Sequence, residues 1–345
     1  MRRSASRRDA ATGSPPAAVL LAGLFAVTSQ ASAGGALLDD FLKPPGRGVC
    51  RDTWIVSSRD AMQIENCCEI FRNYSATDRC FRAPACQLAV FHRTANGCLQ
   101  RRSLTDLKTA MVPGRPTVVF IHGSFISFDF FAEQSPRTAR YFECGAGQPL
   151  NVIFFTWPSD GALPTCAAAV RDRERRARTN SFYVAELLHY LPEAQAGAPL
   201  VLASHSHGGE MVSATLHLLG GGHVAGRHLA CRAPVHPRSL MFAPAMDAND
   251  YNPGQAFDRA LRMTPCMTII YSRRDIATKV YPLRRLFSTR AMGHTGLTPR
   301  NAARVGPLAG RVRNLDVTPN IGCQHVWSAY LEHPEIIRAV SGTLR

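Results

Sequence analysis

Apolar residues in this chain come in short unbroken runs separated by segments of helical period. The runs Thr53-Trp54-Ile55-Val56-Ser57, Gln87 to His92, Thr117-Val118-Val119-Phe120-Ile121 and Asn151-Val152-Ile153-Phe154-Phe155 lead the series. Leu200 to Ala203, Ser239 to Ala243, Met267 to Tyr271 and Val312 to Val317 complete it. The first seven are apolar runs bounded by turn formers and Val312 to Val317 is interrupted by Arg313, Asn314 and Asp316; all eight predict strands. Between them lie a helical stretch from about Phe128 to Phe142, an apolar helix face at Val184, Leu187, Leu188 and Leu191, and another at Met211, Ala214, Thr215 and Leu218 that Gly220-Gly221-Gly222 stops. A last helix carries Ile336, Ile337 and Val340. Strands alternating with helices define an α/β class with a mostly parallel sheet covered on both faces, and reactive groups in such sheets gather at the carboxyl ends of the strands.

The N-terminal third departs from this rhythm. Arg2, Arg3, Arg7 and Arg8 precede a short apolar core from Ala17 to Val27 and the small-residue sequence Ala31-Ser32-Ala33. That order predicts an export signal over residues 1–33, with a core too short to span a bilayer. Export places the mature chain in the periplasm or outside the cell. Residues 34–112 form a cysteine-rich segment: Cys50, Cys67, Cys68, Cys80, Cys86 and Cys98 crowd together, and in an exported protein this density predicts disulfides rather than zinc ligands, since no paired ligand spacing is present. Cys144, Cys166, Cys231, Cys266 and Cys323 are scattered, and the odd total of 11 leaves at least one thiol free or paired between chains. Pro113 to Pro116 reads as a turn and not a linker, so the strands at Thr53 and Gln87 are expected to open the main sheet, with residues 113–345 as the α/β domain.

The formal charge is +15, and only Lys43, Lys108 and Lys279 among the 40 basic residues are lysines. Such a balance is compatible with attraction to an anionic envelope surface. No nucleic-acid partner is expected, because no basic-aromatic motif or binding module accompanies the charge. The run Arg171-Asp172-Arg173-Glu174-Arg175-Arg176-Ala177-Arg178 pairs Asp172 with Arg176 and Glu174 with Arg178 at i,i+4, which predicts a solvated helix face. Oligomeric state leaves no trace in the sequence.

The candidate chemistry centres on Leu200-Val201-Leu202-Ala203-Ser204-His205-Ser206-His207-Gly208-Gly209-Glu210-Met211-Val212. A buried strand, a turn with small residues two before and two after a serine, and a helix make the strand–turn–helix of a nucleophile elbow with Ser206 at its apex. Serine at position 204 replaces the usual glycine. A serine hydroxyl needs a base oriented by a carboxylate, and elbow enzymes of this build carry them in the order Ser, acid, His. Asp275, just past the strand ending at Tyr271, is the expected acid, with Asp247 as second choice. His325, after the last strand, is the expected base, ahead of His294. The oxyanion donors are expected to be the backbone N–H groups of Ser124, after the strand ending at Ile121, and of His207. His122 reads as a structural side chain, and His205 with His207 does not read as a metal pair.

Taken together, His122-Gly123, Trp157-Pro158-Ser159, Asp172-Arg173-Glu174, His205-Ser206-His207-Gly208, Ala243-Pro244-Ala245-Met246-Asp247, Tyr271 to Asp275 and the late His325 make the segment from about Val118 to the C-terminus resemble a bacterial α/β-hydrolase family catalogued as a domain of unknown function. The resemblance implies an α/β-hydrolase fold and a triad of Ser206, Asp275 and His325. His207 stands where that family usually has methionine, and Ala245 where it tends to have aspartate; neither departure removes a triad member. The expectation is an exported serine hydrolase cleaving an ester or related acyl bond of a small or lipid-like substrate, with neither metal nor organic cofactor. The alternatives are a non-catalytic envelope-associated binding protein on the same fold and an acyltransferase using the same triad.

Overall fold

The computed structural model describes residues 51–59, 80–81, 87–160, 167–191 and 197–344. The export segment, residues 34–50, and Cys67, Cys68, Cys86 and Cys166 lie outside the described residues. Nine strands form one sheet: β1 (Thr53–Ser57), β2 (Ala89–Arg93), β3 (Leu99–Arg102), β4 (Thr117–Ile121), β5 (Asn151–Thr156), β6 (Leu200–His205), β7 (Arg238–Phe242), β8 (Met267–Tyr271) and β9 (Val312–Asp316). Their spatial order is β9-β8-β7-β6-β4-β5-β1-β2-β3, parallel throughout except for the antiparallel pairs β1–β2 and β2–β3. Apart from the sheet, Cys80–Phe81 pairs with His228–Leu229.

The unbroken apolar runs form strands here because both sides of the sheet are covered. Along β4, Val119 and Ile121 enter one core cluster while Val118 and Phe120 enter the other, all without solvent exposure. Helix α3 (Ala167–Tyr190) and α4 (His207–Leu219) pack on the first face; α2 (Phe128–Ala146) and the C-terminal helix Pro334–Leu344 pack on the second. Gly147 ends α2 in the left-handed conformation, at φ 66°. Among the described residues no helix is long and apolar enough to cross a membrane.

Two elements escaped the hydrophobic pattern. β3 is the polar run Leu99-Gln100-Arg101-Arg102, an exposed edge strand held by main-chain pairing to β2 across a turn in which Gly97 sits at φ 88°. The short α1 (Leu104–Ala110) buries only Leu107 and is fixed by a capping box between Ser103 and Asp106. Cys98, one of the six cysteines expected to be stapled, is an exposed free thiol in this hairpin, as are Cys144, Cys231 and Cys323 elsewhere; Cys266 is free and half-buried.

From β4 the chain passes to β5 on one side and to β6 on the other, with Phe120 flanked by Phe154 and Ala203. That reversal is the position at which open parallel sheets place their reactive groups, at the carboxyl ends of β4 and β6.

Candidate active site

The turn after β6 is held in a conformation that serine alone disfavours. Ser206 has φ 54° and ψ −125°, a sparsely populated region costing on the order of 1–3 kcal/mol. Its surroundings over-determine it: the Ser206 N–H donates to the Phe242 carbonyl at 3.0 Å, and its own carbonyl accepts from Ala245 N at 3.0 Å and Gly209 N at 2.9 Å. The small residues on either side of the serine are crowded from different directions. A Cβ on Gly208 would stand 2.5 Å from the Ile121 carbonyl oxygen and 2.8 Å from that of His122, so the start of α4 is pressed against the end of β4. Ser204 instead lies beside Gly209, whose added Cβ would meet Pro244 at 2.6 Å.

Ser206, His325 and Asp275 come together from three separate loops. Ser206 Oγ lies 2.9 Å from His325 Nε2, and His325 Nδ1 lies 2.7 Å from Asp275 Oδ2. Asp275 is wholly buried, and its other oxygen accepts from the Thr278 N–H, so the triad carboxylate also caps α5 (Ile276–Val280). The competing residues do not join this chain of contacts. Asp247 bonds Arg284 at 3.0 Å, Arg285 at 3.1 Å and the Ser288 hydroxyl at 2.8 Å. His294 sits in the short helix Met292–Thr295, its imidazole held below its usual pKa by burial and Arg290.

The other histidines support this arrangement. His205 is buried with its ring 4.8 Å from that of His325 and 6.0 Å from Trp327, and burial keeps it well below the usual imidazole pKa. His122 bonds the Gly123 carbonyl and the Thr156 hydroxyl, and burial keeps it neutral too. His207 faces the opposite way from His205. Its Nδ1 shares a 3.0 Å hydrogen bond with Ser124 Oγ, and its ring lies edge-on to Tyr281 at 5.6 Å. Burial, with Arg284 adding to it, lowers its pKa to about 3, so the imidazole is uncharged at neutral pH.

That bond joins the two residues whose N–H groups are the candidate oxyanion donors. The His207 N–H belongs to the first turn of α4, where amides have no intrahelical acceptor and the helix dipole favours negative charge. Ser124 is held by groups whose role the sequence did not reveal. The Phe125 N–H donates to the Ser159 carbonyl at 2.9 Å, and Ser159 Oγ bonds both main-chain groups of Ile126. Trp157 Nε1 donates to the His122 carbonyl at 3.0 Å, and Arg59 Nη2 to that of Ile126 at 2.6 Å. Trp157-Pro158-Ser159 is therefore the brace of the Ser124 loop. Tyr330, buried beside Asp275, is a further neighbour the sequence did not single out; burial and that carboxylate push its phenol well above the usual value.

Beneath α4 lies a second group of charges. The i,i+4 pairs on α3 exist, Asp172 with Arg176 and Glu174 with Arg178, both at 2.8 Å, yet the expected solvated face is not what they form. Glu174 is buried and also meets Arg284 at 3.1 Å and Arg285 at 2.7 Å, while Arg178 reaches the buried Glu210 at 2.6 Å. With Asp247, three carboxylates share three guanidiniums, and Asp250 lies alongside, accepting from the Asp247 N–H at 3.1 Å. Burial pushes Glu210 up to about 8 and Asp250 up to about 7.

A strained serine on a strand-to-helix turn, with imidazole and carboxylate delivered by later strand-end loops of a parallel sheet, defines the α/β-hydrolase class. The chain belongs to the family described as alpha/beta hydrolase of unknown function (DUF900), whose profile matches residues 100–290, more than half of its length. That span includes Ser206 and Asp275, while His325 lies beyond it. No curated protein matches the sequence. Similar solved structures include esterase B from Lactobacillus rhamnosis in complex with a tributyrin phosphonate inhibitor, 14% identical over 94% of each chain with a TM-score of 0.43. An esterase from Pyrobaculum calidifontis is 13% identical over 93% of this chain and 91% of its own, with a TM-score of 0.39. Carboxyl esterase 2 from Tuber melanosporum is 13% identical over 74% of this chain and 80% of its own, with a TM-score of 0.36.

Proposed function

We propose that this member of the α/β-hydrolase family is an exported serine hydrolase acting on carboxylic esters or closely related acyl bonds. The observation that carries the proposal is the continuous chain of contacts from Ser206 Oγ through His325 to Asp275. His325 Nε2 takes the hydroxyl proton as Ser206 attacks the acyl carbon, and Asp275 holds the imidazole with Nδ1 protonated and stabilises the positive charge it acquires. The negative charge developing on the acyl oxygen is received by the N–H groups of His207 and Ser124. The neutral His207 ring, tied to Ser124 Oγ, keeps those two segments in register without adding a competing charge. His325 then protonates the leaving alcohol and activates water to release the acid. Export rests on the arginine-led apolar segment ending at Ala31-Ser32-Ala33.

The test is labelling of the exported chain with a fluorophosphonate probe, paired with a series of esters of increasing acyl length. Wild-type protein is expected to label and to turn over at least one ester, with Ser206→Ala doing neither. Equal labelling of the two proteins overturns the proposal.

A further inference from the structure

The segment that follows α5 has its polarity reversed. It reads Tyr281-Pro282-Leu283-Arg284-Arg285-Leu286-Phe287-Ser288, and its charged and hydroxyl groups are drawn inward. Arg284 is 1% exposed; its guanidinium lies 3.6 Å from the Tyr281 ring centre and bonds Glu174 and Asp247. Arg285 reaches the same two carboxylates, Ser288 donates to Asp247, and Arg171 from α3 donates to the Arg284 carbonyl at 2.6 Å. The apolar side chains are left facing water: Leu283 is 54% exposed, Leu286 86% and Phe287 101%. Phe287 is also held at φ 61°, a region bulky L-residues avoid. Buried ion pairs thus fix a short loop in a shape that holds a phenyl ring fully in solvent.

Exposure of this kind marks a contact surface. The surrounding charge identifies the partner. No aspartate or glutamate occurs between Ile276 and Ala291, whereas Lys279 and Arg290 are exposed there and Arg171 is exposed on the adjoining helix. Asp172, the acid next to Arg171, is already engaged by Arg175 and Arg176. Three apolar side chains at a tip are far short of the roughly 800 Å² per partner that a stable protein interface buries. They suit the shallow boundary between headgroups and acyl chains, where apolar groups insert and basic groups meet anionic lipid.

We propose that the Leu283–Phe287 tip docks the protein on an anionic phospholipid surface, with Leu286 and Phe287 entering the acyl boundary and Lys279 and Arg290 meeting the phosphates. The tip joins the candidate active site through Tyr281, whose ring touches that of His207. Docking therefore brings the candidate active site to a lipid-borne ester, although binding itself is independent of catalysis.

The experiment is flotation of the full-length protein with vesicles of phosphatidylcholine alone and of phosphatidylcholine mixed with phosphatidylglycerol. Wild type is expected to float with the mixed vesicles. Replacing Leu286 and Phe287 by serine is expected to weaken partitioning by about tenfold for each side chain, and Lys279→Gln or Arg290→Gln by about fivefold each. Melting temperature and turnover of a short, soluble ester are expected to be unchanged in these variants. Equal binding to the two vesicle types, or equal binding by the serine double variant, overturns the proposal. A wild type that is dimeric by light scattering and becomes monomeric in the double variant overturns it in favour of self-association. Flotation by protein inactive on every ester would leave this proposal standing while removing the hydrolase reading.

Discussion

Asp247 and Asp275 follow neighbouring strands, β7 and β8, yet they face opposite kinds of partner. Asp275 gives one oxygen to a single imidazole and the other to a helix N–H. Asp247 gives both oxygens to two guanidiniums and a hydroxyl. A carboxylate in front of an imidazole can stabilise a proton that arrives and leaves during each turnover. One saturated by permanent cations can only hold structure together. Placement at a strand's end thus nominates a residue, and the chemistry of what it faces decides its work.

The sharpest way to test that division is to remove the groups on the Asp275 side first. Ser206→Ala or His325→Ala is expected to lower kcat by about 10⁴-fold or more with the melting temperature nearly unchanged, measured as ester turnover and thermal melts. Asp275→Asn is expected to cost about 10³–10⁴-fold in kcat, because an amide no longer holds the imidazole in the required tautomer. Asp247→Asn should invert the pattern, with kcat within about tenfold of wild type and stability reduced by about 3–5 kcal/mol because Arg284 loses its buried partner. Denaturant titration alongside kinetics separates the two, and a catalytic defect in Asp247→Asn without loss of stability would break the comparison.

The charge cluster also makes a pH prediction. The folded-state pKa values of Glu210 and Asp250, raised by burial to about 8 and about 7, lie above those of an unfolded chain, near 4. The folded protein therefore holds more protons over that interval, and this stabilisation is present below about pH 4 and lost as pH rises through 7 and 8. Between pH 5 and 9 the melting temperature of wild type should fall by roughly 10 °C more than that of Glu210→Gln, at about 1.4 kcal/mol per pH unit up to the folded pKa and about 2–4 °C per kcal/mol for a large domain. Parallel melting profiles would remove Glu210 from the account. The smallest effect is expected for Ser124→Ala, which keeps the N–H and loses only the bond to His207: about threefold in kcat, with KM unchanged.

The same contrast explains what the sequence made legible. The sheet and the triad candidates could be read because unbroken apolar runs mark most of the strands and because Ser206, Asp275 and His325 each follow a predicted strand in chain order. The charge cluster could not. Glu174 and Arg178 have the same i,i+4 spacing whether their helix face meets water or protein, and their partners Glu210, Asp247 and Arg284 come from three distant segments. Trp157-Pro158-Ser159 was visible as a motif, but its hydrogen bonds go to main-chain groups that no pattern of side chains announces. β3 went unread because an edge strand held by backbone pairing needs no apolar face. The steric demand at Gly208 could not be traced to its source, because the contact comes from the Ile121 and His122 carbonyls, far earlier in the chain.

The moulding of Ser206 by Phe242 and Ala245 bears on when the protein becomes reactive. During synthesis the serine emerges before the residues that twist its backbone, and the imidazole follows 119 positions after it. A partly made chain carries an ordinary alcohol, so on the hydrolase reading the polypeptide stays inert toward acyl bonds until the segment bearing His325 has been made and has folded against the elbow.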